Sequence, residues 1–269
     1  MSEKSTADTL ARERQHHDQW AADLDIDKVL VRESFEVSTA PENRFILKQL
    51  GSLEGKKILD LGCGAGENSV YFALKGAHCI AADYSPGMLE TAQRLARKYD
   101  VEIETKCINA EEIEFPDNSF DYVYAANLLH HVRPETALRE MHRTCKPGGK
   151  VCFWDPLKHN PVINVYRRMA SKVRSEDETP LSIQFVKNVE ELFTEVTYET
   201  FWFFTLWIFL RFYLIEGVSP NKERYWKKII YEEPRLRNTY ERLERLDRYF
   251  KRIPLVERYG WNIAVVATK

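Results

Sequence analysis

The sequence predicts an α/β fold with a seven-stranded, mostly parallel sheet, helices on both faces of that sheet and helical insertions that form a cap. Two observations predict this fold. Between residues 57 and 154, short apolar segments typical of buried strands alternate with longer segments of helical periodicity. The final segment, residues 261–268, is again apolar and β-branched. Strands that alternate with helices connect through right-handed crossovers, which place the strands parallel in one sheet.

Glycine and proline mark several of the predicted element ends. Pro86 stands in the first turn of one helix, Gly76 ends another and Pro147 closes a third. The predicted strands are 57–61, 78–83, 101–107, 120–126, 150–154, 195–203 and 261–268. The predicted helices between them are 67–75, 86–99, 134–145 and 189–193.

The parts of the chain outside this alternation are predicted to be mostly helical. Residues 8–35 are charged with a helical pattern, and Thr39 and Glu42 have the spacing of a capping box for the next helix. After residue 155 the alternation breaks, and two segments are expected to be insertions into the sheet domain. The predicted divisions are a helical lid (1–40), a ligand-binding core (41–155), a cap that includes helix and strand six near 188–203 (156–258), and a final strand (259–269).

Composition restricts the possible partners and compartments. The formal net charge of -2 offers no global positive field for nucleic acid. The five cysteines are scattered and lack paired zinc spacing, so we expect no metal site and a reducing, cytoplasmic compartment. The aromatic run 201–215 would reach only about 22 Å as a helix, short of a bilayer core of about 30 Å. It is therefore predicted to be core, substrate pocket or a peripheral membrane contact.

A glycine loop follows the first predicted strand, in the segment Ile58 to Glu67 that reads ILDLGCGAGE. Glycines let the backbone turn tightly and approach a ligand closely. Asp83 ends the next strand, where a carboxylate can accept hydrogen bonds from both hydroxyls of a ribose. The dinucleotide pattern G-x-G-x-x-G needs glycine at the position of Glu67, whose charge would repel a pyrophosphate. The loop therefore favours a ribose-containing ligand without phosphate.

The loop D-L-G-C-G-A-G and three later blocks, ALKGAHCIAADYS, FPDNSFDYVYAANLLHHV and CKPGGKVCFWDP, resemble class I S-adenosylmethionine-dependent methyltransferases of the small-molecule and lipid branch. The resemblance covers roughly residues 55–155 and implies a Rossmann-like fold with S-adenosylmethionine as the cofactor of the core. It implies that the loop lines the methionine half of the cofactor, that Asp83 holds the ribose, and that Tyr84 lies against the adenine. The implied loop residues are Asp60, Gly62, Cys63, Gly64 and Gly66.

Two further segments acquire roles from this resemblance. Asn109, Ala110 and Glu111 stand where the family contacts the adenine edge, with Asn109 in place of the usual aspartate. Asn127 follows the fourth strand, where backbone carbonyls of the family meet the cofactor's amine.

The predicted function is in-line methyl transfer to a small, hydrophobic or amphiphilic acceptor such as a lipid, an isoprenoid or a secondary metabolite. Groups that could remove a proton should follow strands four and five, which makes His130, His131 and Asp155 the candidates for catalysis. Candidates for acceptor binding are Trp20, His159, Tyr166, Arg167 and Arg168, with Arg174 beyond them. Nucleic acid fits poorly, because residues 127–130 read Asn-Leu-Leu-His rather than the Asn-Pro-Pro-aromatic loop that holds a flipped adenine.

Two alternatives to a methyltransferase remain open at this point. One is a non-catalytic module that binds a cofactor or a partner. The other is a nicotinamide-dependent oxidoreductase, which the position of Glu67 disfavours. The acceptor, its reacting atom and the oligomeric state are not predicted.

Overall fold

The computed structural model of the protein describes residues 3–170, 178–253 and 255–269, with side chains from residue 12 onward except that of His16. The strands are β1 (Lys57–Leu61), β2 (His78–Asp83), β3 (Glu104–Cys107), β4 (Phe120–Ala126), β5 (Cys145–Pro156), β6 (Glu195–Phe201) and β7 (Asn262–Thr268). The helices are α1 (Glu3–Asp23), α2 (Glu33–Glu36), α3 (Pro41–Leu50), α4 (Glu67–Leu74), α5 (Pro86–Lys98), α6 (Pro134–Thr144), α7 (Pro161–Met169), α8 (Phe185–Leu192), α9 (Trp207–Leu214), α10 (Tyr225–Tyr231) and α11 (Glu233–Phe250).

The seven strands form one sheet in the order β3-β2-β1-β4-β5-β7-β6. The first five strands pair parallel, and β7 lies antiparallel between β5 and β6. This arrangement confirms the predicted Rossmann-like sheet. Strand order reverses between β1 and β4, and ligands of such sheets bind at the carboxyl ends of the strands beside that reversal.

Hydrophobic side chains cover both faces of the sheet. Ile58 and Tyr124 belong to the core on one face, which also includes residues of α3, α4 and the cap helices. Leu59 and Val123 belong to the core on the opposite face, with residues of α6 and α8. Because neighbouring strand residues point to opposite faces, every strand except the edge strand β3 contributes to both cores, and the sheet lies between them.

Most predicted strand ends are confirmed, and the differences have simple causes. β1, β2 and β4 have the predicted bounds, whereas β3 begins at Glu104 instead of residue 101. β5 runs from Cys145, five residues earlier than predicted, because its pairing with β4 continues past an irregularity between Phe120 and Tyr122. Residues 147–149, which were expected to close the preceding helix, therefore belong to β5.

The N-terminal part is mostly helical, as expected, and it is divided into α1, which ends at Asp23, and the short α2. The predicted capping box is wrong: the hydroxyl of Thr39 donates to the carbonyl of Ile229, and Ala40 is the residue that precedes α3. Glu42 is buried and accepts hydrogen bonds from the Trp202 indole and the Asn262 amide, each at 2.6 Å. Thr39 and Glu42 thus form hydrogen bonds with residues distant in the sequence instead of capping α3.

The aromatic run 201–215 begins at the end of β6 and leads into α9. Asp247 of α11 fixes its start by accepting the N–H groups of Phe203 and Phe204 and the hydroxyl of Thr205. The run then has two sides: Ile208, Phe209 and Phe212 are buried, whereas Trp207 and Ile215 are exposed. Among the helices of the described residues, none combines the length and the hydropathy that a bilayer span needs.

Candidate functional site

A cavity of about 320 Å³ opens at the carboxyl edge of the sheet, beside the strand-order reversal. Its floor consists of the glycine loop and the ends of β2 and β4, while α1 and the cap supply the remaining walls. Helix α1 is held over this edge by Asp18, which accepts hydrogen bonds from the hydroxyl of Ser85 and the N–H of Gly87. The cavity therefore lies where the sequence placed the ligand.

Two glycines of the loop have different tasks. Gly64 lines the cavity with φ of 53°, and a Cβ built on it would meet no protein atom within 4 Å. Gly66 does not line the cavity: its φ is 86°, and its Cβ would lie 2.5 Å from the Cβ of Ala92 in α5. This glycine allows α4 and α5 to pack closely, and its contact with a cofactor stays a prediction. Gly62 and Cys63 line the cavity as expected.

Asp83 faces the cavity at the end of β2 and is held by the backbone. One carboxylate oxygen accepts the N–H of Gly64 at 2.9 Å, and the other accepts the N–H of Ser85 at 2.9 Å. Burial raises the pKa of Asp83, while these two N–H groups oppose that effect. A carboxylate oxygen can accept more than one hydrogen bond, so both oxygens retain capacity for two ribose hydroxyls.

Asp60 lies below the loop instead of in the cavity wall. It is fully buried, and one oxygen accepts the hydroxyl of Ser69 at 2.5 Å. The other oxygen, Oδ1, has no hydrogen-bond partner among the described residues. Burial raises the pKa of Asp60 to about 7. The contact of Asp60 with the cofactor stays a prediction, and its unsatisfied oxygen suits a cationic ligand in the loop above it.

The segments expected at the adenine edge and the amine are mostly in place. Asn109, Ala110, Tyr84 and Asn127 line the cavity. Glu111 does not: its carboxylate accepts the backbone N–H of Arg133 at 2.7 Å and its side-chain Nε at 2.6 Å. Glu111 thereby anchors the loop that follows β4, and its role at the adenine edge stays a prediction. Asn127 has φ of 57°, a left-handed conformation that asparagine tolerates.

His130 and Asp155 form a buried pair that joins the segment after β4 to the carboxyl end of β5. The Nδ1 atom of His130 lies 2.6 Å from Oδ1 of Asp155, and Asp155 also accepts the N–H groups of Leu129 and His130. Burial raises the pKa of Asp155 to about 7. His130 lines the cavity and Asp155 does not, so the carboxylate lies behind the imidazole as seen from the cavity.

His131 belongs to a second polar group at the same wall. Its Nδ1 lies 3.4 Å from a carboxylate oxygen of Glu13 in α1, and that oxygen is 3.7 Å from Nε2 of His17. His130, His131 and Glu178 also place one possible metal-ligand atom each within 4.8 Å of one another. The spacing of the cysteines predicts no metal site, but it gives no information on two adjacent histidines that lie near a glutamate distant in the sequence.

The predicted acceptor-binding residues divide into two groups. Trp20, Tyr166 and Arg167 line the cavity. His159 and Arg168 are exposed and lie outside it, so their role in acceptor binding stays a prediction without support from the cavity. Arg168 follows Arg167 on α7 and is therefore turned to another side of the helix. Arg174 lies outside the described residues.

Several residues of the cavity wall were not predicted. Most come from the cap, from α3 or from the last strand, and no local motif announces them. They are Glu42, Asn43, Trp154, Trp202, Arg224, Trp226, Lys227, Ile230, Trp261 and Asn262. The indoles carry a weak signal, since five of the six tryptophans of the chain line this cavity.

The model of the family described as "Methyltransferase domain" matches residues 59–153, which contain the glycine loop, Asp83, β4, His130 and most of β5. The chain therefore contains a segment that matches a methyltransferase domain. This finding confirms the resemblance of the four sequence blocks. The α1 and cap segments lie outside the matched residues of the methyltransferase domain.

Curated relatives match the methyltransferase domain over a similar length. A ubiquinone biosynthesis O-methyltransferase of Pseudomonas syringae pv. tomato is 37% identical over 118 residues, 43% of this chain and 50% of the relative. A demethylmenaquinone methyltransferase of Clavibacter sepedonicus is 38% identical over 105 residues, 39% of this chain and 42% of the relative. The chain thus spans about half the length of the curated relatives it matches.

Solved structures share the fold of the methyltransferase domain at low sequence identity. Phosphoethanolamine N-methyltransferase 2 of Haemonchus contortus, in complex with S-adenosyl-L-methionine, has a TM-score of 0.57 and 22% identity over 85% of this chain and 52% of that one. The YcgJ protein of Bacillus subtilis has a TM-score of 0.54 and 20% identity over 84% of this chain and 97% of that one. At these identities the likeness shows the fold.

Proposed function

We propose that the protein transfers the methyl group of S-adenosylmethionine to a small hydrophobic or amphiphilic acceptor. One observation carries this proposal: a single cavity joins Gly64 and Asp83, at the ends of β1 and β2, to His130 and to a wall of indoles. A ribose-holding carboxylate, a proton acceptor and an apolar wall are the parts that transfer of a methyl group to a hydrophobic nucleophile requires.

The residues of the glycine loop fit S-adenosylmethionine. The open space at Gly64 admits a ligand against the backbone, and Asp83 retains acceptor capacity for a ribose. Glu67, the first residue of α4, lines the cavity and would repel a pyrophosphate, whereas it tolerates the positive charge of a sulfonium and an ammonium. When bound, the cofactor supplies an electrophilic methyl group.

The acceptor wall favours a hydrophobic molecule. Trp20, Trp202, Trp226 and Trp261 contribute indole surface, and Tyr166 packs its ring 5.1 Å from that of Tyr225. Indoles bury a large apolar area while keeping one donor for a polar group. Two curated relatives are named as a ubiquinone biosynthesis O-methyltransferase and a demethylmenaquinone methyltransferase. These names support a quinone-like or related acceptor for this chain.

His130 is suited to remove a proton from the acceptor. Asp155 accepts hydrogen bonds from the backbone and lies against Nδ1, so the neutral imidazole carries its proton at Nδ1 and its lone pair at Nε2. The arrangement of a buried carboxylate behind a histidine is the one that orients catalytic imidazoles. We propose His131 as a second polar group at this wall, with α1 as a lid that brings Glu13 and Trp20 over the acceptor and excludes water.

The two alternatives are less well supported. The sequence contains one Tyr-x-x-x-Lys spacing, Tyr71 and Lys75, which a nicotinamide oxidoreductase could use. Both side chains instead contact Glu36, with Tyr71 Oη at 3.2 Å and Lys75 Nζ at 2.9 Å, and neither lines the cavity. A non-catalytic binding module would not need the His130–Asp155 pair at the cavity wall.

Transfer of a labelled methyl group tests the proposed function. The protein is incubated with S-adenosylmethionine labelled in the methyl group and with hydroxylated or demethylated quinone precursors, and label is measured in the organic phase. The proposal expects protein-dependent label that is lost in Asp83→Ala. A protein that binds the cofactor but labels no precursor and no component of a lipid extract would favour the non-catalytic module.

We also propose that the cap rests against a lipid surface while it receives such acceptors. Trp207, Leu214 and Ile215 are 51%, 66% and 69% exposed, and Phe204 contacts Phe250 at the end of α11 with ring centres 4.6 Å apart. Leu255, 67% exposed, follows beyond that helix. Exposed aromatic and aliphatic side chains beside the basic residues of α11 suit the interface of an anionic membrane.

A further inference from the structure

Two cationic side chains at α10 line the cavity, and no motif in the sequence predicts either of them. Arg224 immediately precedes α10 and Lys227 lies one turn later. The guanidinium carbon of Arg224 lies 3.8 Å from the ring centre of Trp20. The Nζ atom of Lys227 lies 5.2 Å from the ring centre of Trp20 and 5.0 Å from that of Trp226. Both cations are therefore held against indole faces at the cavity wall.

The charge of Lys227 is not neutralised by direct contact with a carboxylate of the described residues. Within that part of the chain, no carboxylate lies within ion-pair distance of its ammonium, and the electrostatic influence of Glu67 acts without a hydrogen bond. Burial lowers the pKa of Lys227, and burial also lowers the pKa of Arg224. A cation removed from water is stabilised when an anion enters beside it, so this wall is ready for a negatively charged group.

Another lysine of the same helix shows the usual outward arrangement. Lys228 forms ion pairs with Glu223 at 3.1 Å and with Glu232 at 2.6 Å. Adjacent residues on α10 thus differ: the ammonium of Lys228 is satisfied by carboxylates of the cap, whereas that of Lys227 is directed to the cavity.

We propose that Arg224 and Lys227 bind an oxyanion, a carboxylate or a phosphate, carried by the methyl acceptor. This inference deepens the proposed function and rests on it. Arg224 lines the same cavity as Tyr166 of α7 and Glu67, the first residue of α4. An acidic acceptor would lay its apolar body on the indoles and its charged group on these two cations, which would exclude neutral analogues of the same shape.

The carboxylate of the cofactor has the same chemistry, so the test must separate the two sources. The protein is first saturated with S-adenosylhomocysteine, and binding of 4-phenylbutanoate and of the neutral 4-phenylbutanamide is then measured by calorimetry. We expect the acid to bind about tenfold more tightly than the amide, as a charge-assisted hydrogen bond implies. Lys227→Met should abolish this preference, Lys227→Arg should retain it, and Lys222→Met, at an exposed site before α10, should leave it unchanged.

Each remaining outcome is decisive. Equal binding of acid and amide to the saturated wild-type protein overturns the inference. The inference is also overturned if Lys227→Met weakens the binding of S-adenosylhomocysteine while the preference for the acid persists. The two cations would then bind the carboxylate of the cofactor. Failure of S-adenosylhomocysteine to bind the wild type contradicts the proposed function separately, and binding of the acid by that unsaturated protein would still report on the two cations.

Discussion

The Nδ1 atom of His130 lies 2.6 Å from a carboxylate oxygen of Asp155, and this contact connects the segment after β4 to the carboxyl end of β5. The two residues are 25 positions apart in the sequence, and the parallel pairing of β4 with β5 brings their ends together. Only His130 reaches the cavity. The pair therefore gives a defined imidazole orientation at the point where an acceptor would lose its proton.

Substitution of His130 should reduce turnover much more than cofactor affinity. His130→Gln removes the proton acceptor, and general bases contribute about 100- to 10,000-fold to rate. We expect kcat to fall within this range while the Kd of S-adenosylhomocysteine changes less than about threefold. His142→Gln, on α6 with its ring against Phe193, is the matched control and should behave as wild type. Equal kcat for the His130 variant and wild type would remove this histidine from the mechanism.

Zinc should inhibit the enzyme instead of activating it. His130, His131 and Glu178 can offer one ligand atom each within 4.8 Å, and a bound ion would occupy the lone pair that the proposed base needs. We expect Zn²⁺ to lower kcat and a chelator to restore it, with weaker inhibition of His131→Gln. Loss of activity on chelation, recovered with a divalent ion, would instead make this cluster a functional metal site.

Much of the fold follows from local sequence patterns, and much of the site does not. The strands β1, β2 and β4 are short apolar segments whose ends coincide with polar residues, so periodicity predicts them. Gly64 and Asp83 belong to local motifs with a physical task. Lys227 and Trp226 belong to a helix whose place over the glycine loop depends on the packing of α10 with α2, α9 and α11. No spacing in the sequence carries that information.

Three predicted site residues lie outside the cavity wall, and each supports a neighbouring part of the structure. Asp60 accepts the hydroxyl of Ser69, Gly66 leaves room for Ala92, and Glu111 accepts hydrogen bonds from Arg133. A sequence motif identifies the residues that build a site. It does not distinguish the residues that contact the ligand from the residues that support them. That distinction depends on atomic distances.

Asp60→Asn should change how stability depends on pH. Burial raises the pKa of Asp60 to about 7, so between about pH 4 and pH 7 the unfolded chain releases this proton while the folded protein keeps it. The free energy of unfolding of the wild type therefore falls as the pH rises through this window, and asparagine lacks that contribution.

Urea unfolding at pH 5 and pH 8 measures the effect. We expect the stability of Asp60→Asn relative to wild type to be about 2 kcal/mol more favourable at pH 8 than at pH 5. Asp27→Asn, at an exposed site, should show no such difference. A relative stability of Asp60→Asn that is the same at both pH values would show that the carboxyl is ionised in the folded protein throughout.

The exposed apolar side of the cap should bind anionic vesicles. We expect the wild type to sediment with vesicles of phosphatidylcholine and phosphatidylglycerol, and the double variant Trp207→Ser and Leu255→Ser to bind about tenfold more weakly, since it removes two large apolar contacts. Val165→Ser, at a site of 54% exposure on α7, is the control and should bind as wild type does. Equal sedimentation of the double variant and wild type would place the membrane contact elsewhere or exclude it.

The central claim is that Asp83 and the glycine loop bind S-adenosylmethionine, and calorimetric titration tests it most directly. The wild type should bind S-adenosylmethionine and show no binding of NAD. Asp83→Ala should weaken the binding of S-adenosylmethionine by about 30- to 150-fold, because it removes a charged hydrogen-bond acceptor that contributes about 2–3 kcal/mol to binding. Glu90→Ala, at an exposed site on α5, should retain full affinity. Binding of NAD in place of S-adenosylmethionine, or equal affinity of Asp83→Ala and wild type, would contradict the account.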